Sequence, residues 1–241
     1  MNVASLAERP RAPRTEREAW TLAEVRAFIG RADQDRHAAL WRVALSTGVR
    51  RGELLGLWWG DIDLEERLLT VRRQVLVRGS ASSSAPRLYL RETTKERRPR
   101  TVRFDEATRD ALAAWRITQE QDRRWFSSAW HADGGLGVEA AWLATEANGM
   151  VVHPDTLHDR FERLAKAAGV RRLVLQGARH TFATLSLASG VRADLVSRAL
   201  GHASTGFTLD VYTHPSGEEE LAAADRIGEA LGGGREGGMN S

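Results

Sequence analysis

The chain has 241 residues, a hydrophobic content of 42%, a formal net charge of +3 and no cysteine. This apolar content is enough for a sizeable core and too high for a disordered chain, and the length fits one large domain or two small ones. The lack of cysteine excludes disulfides, thiolate metal sites and cysteine nucleophiles, and it suits a reducing cytoplasm. No apolar run is long enough for a membrane span, and the charged N-terminus does not resemble a secretory signal.

The first half of the chain predicts three helices followed by a small sheet. Thr21 and Glu24 form a capping box, and Trp20 and Val25 are placed as a hydrophobic staple at the start of the first helix. The expected helices cover about 21–29, 36–47 and 51–57. Strand character follows at 68–77, 87–91 and 100–104, with a Ser-rich loop at 79–86. Because the connections are short, we expect one three-stranded antiparallel sheet.

The second half of the chain has a helical pattern. The expected helices cover about 105–125, 154–168, 179–189, 192–200, 206–213 and 217–231. Segment 126–153 is irregular and rich in Trp and Gly. The fold class is therefore mainly α with a small antiparallel sheet. We expect one domain over 20–231, a flexible lead-in over 1–19 and a disordered Gly-rich tail over 232–241.

Charge is distributed unevenly along the chain. Between Arg87 and Arg103, seven basic residues stand against two acidic ones, whereas six acidic residues stand against two basic ones from Ser216 to the end. A basic patch beside an acidic tail indicates a polyanion-binding surface, although solvated faces of a basic protein remain the alternative. Of the 35 basic residues, all but Lys95 and Lys166 are arginine. Arginine does not readily release its proton, whereas lysine can. A lysine in such a chain is therefore a candidate for chemistry in which the side chain gives up a proton.

Three motifs occur in a fixed order and carry a family resemblance. Their sequences are TGVRRGELLGL at 47–57, RHTFATL at 179–185 and LGHASTGFTLDVYTH at 200–214. Together with Lys95 in the turn before the third predicted strand, they resemble the catalytic domain of the tyrosine recombinases, the phage-integrase family. The resemblance runs from about Trp20 to His214, and it implies the fold of the DNA breaking-rejoining enzymes.

The resemblance implies a DNA strand exchange that needs neither metal nor cofactor. The implied catalytic residues are Arg50, Lys95, Gln176, Arg179, His202 and Tyr212, with Glu53 in support. Tyr212 would attack a DNA phosphate and hold it as a 3′-phosphotyrosine, which conserves the bond energy for rejoining. Arg50 and Arg179 would bind the phosphate, because guanidinium forks neutralise the charge that develops on its oxygens.

The remaining implied roles concern proton transfer and support. His202 would donate to a phosphate oxygen, Lys95 would protonate the leaving 5′-oxygen, and Glu53 would support the first arginine. Each residue also has a structural alternative. These alternatives are a helix-end cation for Arg50, a basic turn for Lys95, a helix cap for His202, core packing for Tyr212 and an ordinary helix surface for Glu53. His180 is expected to be structural, and the other histidines show no metal-ligand spacing.

Two features depart from the family pattern. The family usually has a histidine three residues before its second arginine, and Gln176 stands there. An amide donates a hydrogen bond but carries no proton for acid–base catalysis, so we expect slower cleavage. The chain also begins near the catalytic domain, so the N-terminal core-binding domain is expected to be absent, and DNA affinity to be weaker and steeply salt-dependent.

The expected partner is double-stranded DNA, with no membrane partner. In the family, a C-terminal helix docks on a neighbouring protomer, and the segment over 217–231 either does this, in a tetramer on DNA, or packs on its own domain. The resemblance also implies an accessory directionality factor. It further implies a cytoplasmic location, either in a bacterial nucleoid or as the product of a phage gene. The predicted function is site-specific recombination of the integrase type. The alternatives are a catalytically weak or silent DNA-binding remnant and a relaxing enzyme of the type IB topoisomerase kind.

Overall fold

This computed structural model describes residues 19–78, 87–92 and 99–201. These residues contain seven α-helices and five short strands, joined by loops and 3-10 turns. The helices are α1 (Leu22–Ala32), α2 (Ala38–Thr47), α3 (Arg51–Leu55), α4 (Glu106–Phe126), α5 (Pro154–Ala167), α6 (Leu175–Ala188) and α7 (Ala193–Leu200). The strands are β1 (Ile62–Asp63), β2 (Leu68–Val71), β3 (Arg73–Arg78), β4 (Arg87–Glu92) and β5 (Arg100–Arg103). The mainly α class with a small antiparallel sheet is confirmed. None of the helices described is both long and apolar enough to cross a membrane.

Several predicted segments lie outside the described residues. They are the lead-in before residue 19, the Ser-rich loop at 79–86, the helices at 206–213 and 217–231, and the tail at 232–241.

The first predicted strand is divided at Arg72, and its two parts have different partners. β2 pairs antiparallel with β1 and β5, whereas β3 pairs antiparallel with β4. The three predicted strands therefore do not form one sheet: β2 and β5 belong to a three-stranded sheet, and β3 and β4 form a separate two-stranded one. Helix α3 approaches β3 closely: a Cβ at Gly52 would lie 2.7 Å from the carbonyl oxygen of Val75, and one at Gly56 would lie 2.8 Å from the Cα of Gln74. The glycines of the first motif therefore let this helix lie directly on the strand backbone.

An aromatic cluster forms the centre of the helical core. Trp20, Phe28 and Phe161 have ring centroids 4.9–5.3 Å apart, and Trp41 lies 6.0 Å from Phe161. These four side chains are almost completely buried, so α1, α2 and α5 share one apolar interior. The capping box predicted for α1 is present: Thr21 Oγ1 accepts from the amide of Glu24 at 3.2 Å, and Glu24 Oε2 accepts from the amide of Thr21 at 2.8 Å.

Helix α6 begins four residues earlier than the sequence pattern indicated. No side chain caps it at Val174, so the usual cap signal is missing. Gly177 lies in its first turn, although glycine disfavours helices. Glycine is needed at this position because a Cβ would lie 2.3 Å from Cγ of Leu173. The prediction that Arg179 and His180 head this helix is therefore wrong. Both lie in its second turn and are buried.

Gly48 lies between α2 and α3, and we expect it to be intolerant of a side chain. Its φ is 63°, and a Cβ would lie 2.5 Å from Cδ1 of Phe182. Gly48→Ala should therefore lower the free energy of unfolding by at least about 2 kcal/mol, because both left-handed strain and overpacking oppose it. Gly30→Ala is the matched control: it lies inside α1 with no atom within 4 Å of a built Cβ, and it should raise the value by about 1 kcal/mol. Urea unfolding of both variants checks this, and equal stabilities would contradict it.

Candidate active site

Arg50 lies at the junction between α2 and α3. Gly48 ends α2 in the left-handed conformation, and Arg50 has extended backbone dihedrals of −72° and 153° at the N-cap of α3. Its backbone amide donates to Glu53 Oε2 at 2.8 Å, and its Nη1 donates to Glu53 Oε1 at 3.0 Å. The side chain is 27% exposed, so part of the guanidinium remains accessible to an anion from solvent.

Glu53 is a buried carboxylate bound by two arginines. Its side chain is 5% exposed, and it also accepts from Arg100 Nη1 at 3.0 Å and from Arg100 Nη2 at 2.6 Å. Burial by itself would raise the pKa of Glu53, but the hydrogen bonds and charges of Arg100 and Arg50 lower it to about 2. The carboxylate is therefore ionised at any pH at which the protein would function. Its burial is not that of an ordinary helix-surface glutamate, which was the structural alternative to the predicted supporting role.

Arg179 joins three helices at the centre of the candidate site. Its Nη1 donates to the carbonyl oxygen of Gly48 at 2.9 Å, and its Nη2 donates to that of Leu200 at 2.6 Å. These carbonyls lie at the C-terminal ends of α2 and α7, where the partial negative charge of a helix favours a cation. The contact with Gly48 places Arg179 beside the segment that carries Arg50, two residues further along. The structure thus brings the first and second motifs together.

Gln176 lies one turn before Arg179 on α6 and is exposed. Residues spaced by three lie on neighbouring positions of a helix surface, so its amide is on the side of α6 that also carries Arg179. His180, the next residue after the arginine, is buried.

The other three predicted catalytic residues, Lys95, His202 and Tyr212, lie outside the described residues. The chain positions next to them are described. β4 ends at Glu92 and β5 begins at Arg100, so Lys95 belongs to the connection between two described strands. Helix α7 ends at Leu200, and Gly201 follows with a φ of 66°. His202 is therefore the first residue after a left-handed helix end whose last carbonyl binds Arg179.

Sequence reasoning missed Arg100 and the two helix-end carbonyls. Arg100 lies in the basic segment that was assigned to a polyanion-binding surface, but its guanidinium points inward to Glu53. No local pattern identifies such a residue, because its partner is 47 positions away in the sequence. Among the described residues, no group of His, Asp or Glu side chains is placed to hold a metal ion.

Comparison with known proteins identifies the family of the chain. The model of the phage integrase family matches residues 20–219. A tyrosine recombinase XerC-like protein of Caldanaerobacter subterraneus subsp. tengcongensis is 28% identical over 218 residues, which are 89% of this chain and 55% of that protein. Tyrosine recombinase XerA of Saccharolobus solfataricus is 26% identical over 89% of this chain and 58% of its own length. The chain belongs to the phage integrase family, and the resemblance read from its motifs is confirmed.

Solved structures show the same fold. The XerA recombinase crystal structure has a TM-score of 0.63 and 24% identity, with 89% of this chain and 66% of that chain covered. The Tn1549 transposon integrase in complex with transposon right end DNA has a TM-score of 0.68 and 21% identity, with 94% and 70% covered. The catalytic domain of bacteriophage HP1 integrase has a TM-score of 0.53 and 16% identity, with 88% and 96% covered. The chain spans somewhat more than half the length of the curated relatives described above.

Proposed function

We propose that this chain is the catalytic domain of a site-specific DNA recombinase that cleaves and rejoins DNA through a 3′-phosphotyrosine. The observation that carries the proposal is the placement of two arginines from distant motifs. Arg179 binds the carbonyl of Gly48, and Arg50 follows two residues later with its guanidinium partly exposed. Two guanidiniums carried by neighbouring segments suit a phosphate that gains negative charge as it reacts.

The proposed reaction assigns one task to each residue. Tyr212 loses its phenolic proton to solvent and forms the bond to phosphorus as the bond to the 5′-oxygen breaks, and Lys95 gives that oxygen its proton. Arg50 and Arg179 stabilise the transition state, and His202 donates a hydrogen bond to a phosphate oxygen. Attack by the freed 5′-hydroxyl, or by that of a partner strand, then reverses the step and releases Tyr212.

The proposed partner is double-stranded DNA, and association of copies on it is part of the proposal. The segment over 217–231 has an apolar set of side chains at helical spacing (Leu221, Ala224, Ile227 and Leu231), and it is the proposed contact between copies. We also propose a bacterial nucleoid or phage setting and an accessory directionality factor, as in recombinases that run in one direction.

The test of the proposed function traps the covalent intermediate. The full chain is incubated at low salt with a pool of duplexes that are randomised around the scissile position and nicked a few nucleotides downstream. Cleavage then releases a short 5′-hydroxyl fragment that diffuses away, so the protein stays attached to DNA. The expected result is a band that survives denaturation on a gel, with DNA joined through its 3′ end. No attachment across the pool, or attachment through the 5′ end, would contradict the proposal.

Gln176→His is expected to increase the cleavage rate. A histidine at this exposed position of α6 would add acid–base assistance near Arg179, and such assistance is typically worth about 10²–10⁴-fold. Single-turnover cleavage of a sequence recovered from the pool measures the gain. Gln176→Ala is the control: it removes the amide and should be slower than the parent chain. A histidine variant that is no faster than the parent, or slower, would contradict this expectation.

A further inference from the structure

Arg100 lies outside the three sequence motifs, but it forms hydrogen bonds with two elements of the candidate site. Its Nη1 and Nη2 bind the two oxygens of Glu53, and its Nε donates to the carbonyl oxygen of Ala199 at 2.7 Å. Its side chain is only 13% exposed, although it stands in the most basic stretch of the chain. One guanidinium therefore connects β5, α3 and the last turn of α7.

These contacts reach both arginines of the candidate site. Glu53 is shared, since each of its oxygens accepts one bond from Arg50 and one from Arg100. The carbonyl bound by Arg100, that of Ala199, is next to the carbonyl of Leu200 that binds Arg179. A Cβ at Gly201 would lie 2.9 Å from Cδ of Arg100, so the backbone that leads to His202 lies against the same side chain.

We propose that Arg100 is a positioning residue for DNA cleavage, an inference that rests on the proposed function. Arg100 neutralises Glu53, so the carboxylate orients Arg50 without cancelling the positive charge that Arg50 offers to the phosphate. Without Arg100, Glu53 and Arg50 form a one-to-one ion pair, and the phosphate must compete with a buried carboxylate for the same guanidinium. The bond to Ala199 fixes the end of α7 and, through it, the carbonyl that orients Arg179.

The test compares Arg100→Met with Arg124→Met. Arg124 lies on α4, outside the basic segment from Arg87 to Arg103, and its side chain is 77% exposed. Arg100→Met should lower the single-turnover cleavage rate by roughly 10²-fold, the typical effect of a misplaced catalytic group. The Kd for uncleaved duplex should change much less, and Arg124→Met should cleave at the parent rate. Arg100→Lys should recover part of the rate, because it restores the charge without the fork.

A double variant separates the charge effect from loss of structure. If Arg100 acts by neutralising Glu53, then Arg100→Met combined with Glu53→Gln should cleave faster than the product of the two single effects predicts. Equal cleavage by Arg100→Met and Arg124→Met would overturn the proposal. So would a rate loss matched by an equal loss of folded protein, with no recovery in the lysine or double variant.

A second measurement does not depend on cleavage. Carbon-13 NMR of the Glu53 carboxyl in the intact chain should show its pKa near 2 in the parent and in Arg124→Met, and clearly raised in Arg100→Met. If the parent chain forms no covalent DNA complex, the proposed function fails and this titration still decides on Arg100. An unchanged pKa in Arg100→Met would overturn the neutralising role by itself.

Discussion

Tyr212→Phe is expected to abolish covalent attachment to DNA while duplex affinity stays within a few-fold of the parent. The substitution removes only the phenolic oxygen, so the nucleophile is lost and no bond to phosphorus forms. The measurement is the denaturation-resistant protein–DNA band in the nicked-duplex assay, with duplex affinity measured alongside at the same salt concentration, since phosphate contacts make affinity depend on salt.

The chain offers a matched control for this variant, because Tyr89 is the only other tyrosine in the sequence. Tyr89 lies in β4, with the Arg78 guanidinium over its ring at 5.1 Å. Tyr89→Phe keeps the ring and should form the covalent complex at the parent rate. Attachment that survives in Tyr212→Phe and disappears in Tyr89→Phe would show that the nucleophile is misassigned.

Arg50→Ala is expected to lower the single-turnover cleavage rate by roughly 10²–10³-fold, the usual effect of removing one group that stabilises developing charge. The effect on stability should be small, about 1 kcal/mol, because Glu53 keeps its two bonds from Arg100. Cleavage kinetics and urea unfolding of the same preparation separate the two effects.

Arg51→Ala is the control for Arg50→Ala. It removes the neighbouring arginine, whose Nη1 lies 3.8 Å from Oδ1 of Asp155 at the surface, and should leave the cleavage rate close to that of the parent. If both variants lose the same amount of activity, the loss reflects general DNA attraction by basic residues. If Arg50→Ala cleaves normally, Arg50 does not bind the reacting phosphate.

Local sequence signals predicted most helices because their causes are local. The Thr21–Glu24 capping box sets the start of α1, and the boundaries of α2, α4 and α7 differ from the predicted ones by no more than two residues. The start of α6 was missed because its N-cap, Val174, makes no side-chain hydrogen bond. The division at Arg72 was missed because strand pairing is non-local: β2 pairs with β5 and β3 with β4, and the run of strand residues in the sequence does not show this.

The candidate site was predictable only in part, because some of its contacts are made between segments that are distant in the sequence. Motif order identified Arg50 and Arg179, but not the carbonyls of Gly48 and Leu200 that hold Arg179, since backbone atoms leave no residue-type signal. Arg100 resembled its exposed neighbours in a basic stretch, and only the fold turns it toward Glu53. A residue whose partner is distant in sequence can be identified only when the structure shows the pair.

In the proposed reaction, a phosphate bound by Arg50 and Arg179 becomes covalently linked to Tyr212. The most direct measurement is digestion of the trapped protein–DNA complex with protease and nuclease, followed by mass spectrometry of the peptide that keeps a nucleotide. A 3′-linked nucleotide on the peptide that contains Tyr212 is the predicted result. A nucleotide on any other residue, or no modified peptide from a chain that binds the duplex, would contradict it.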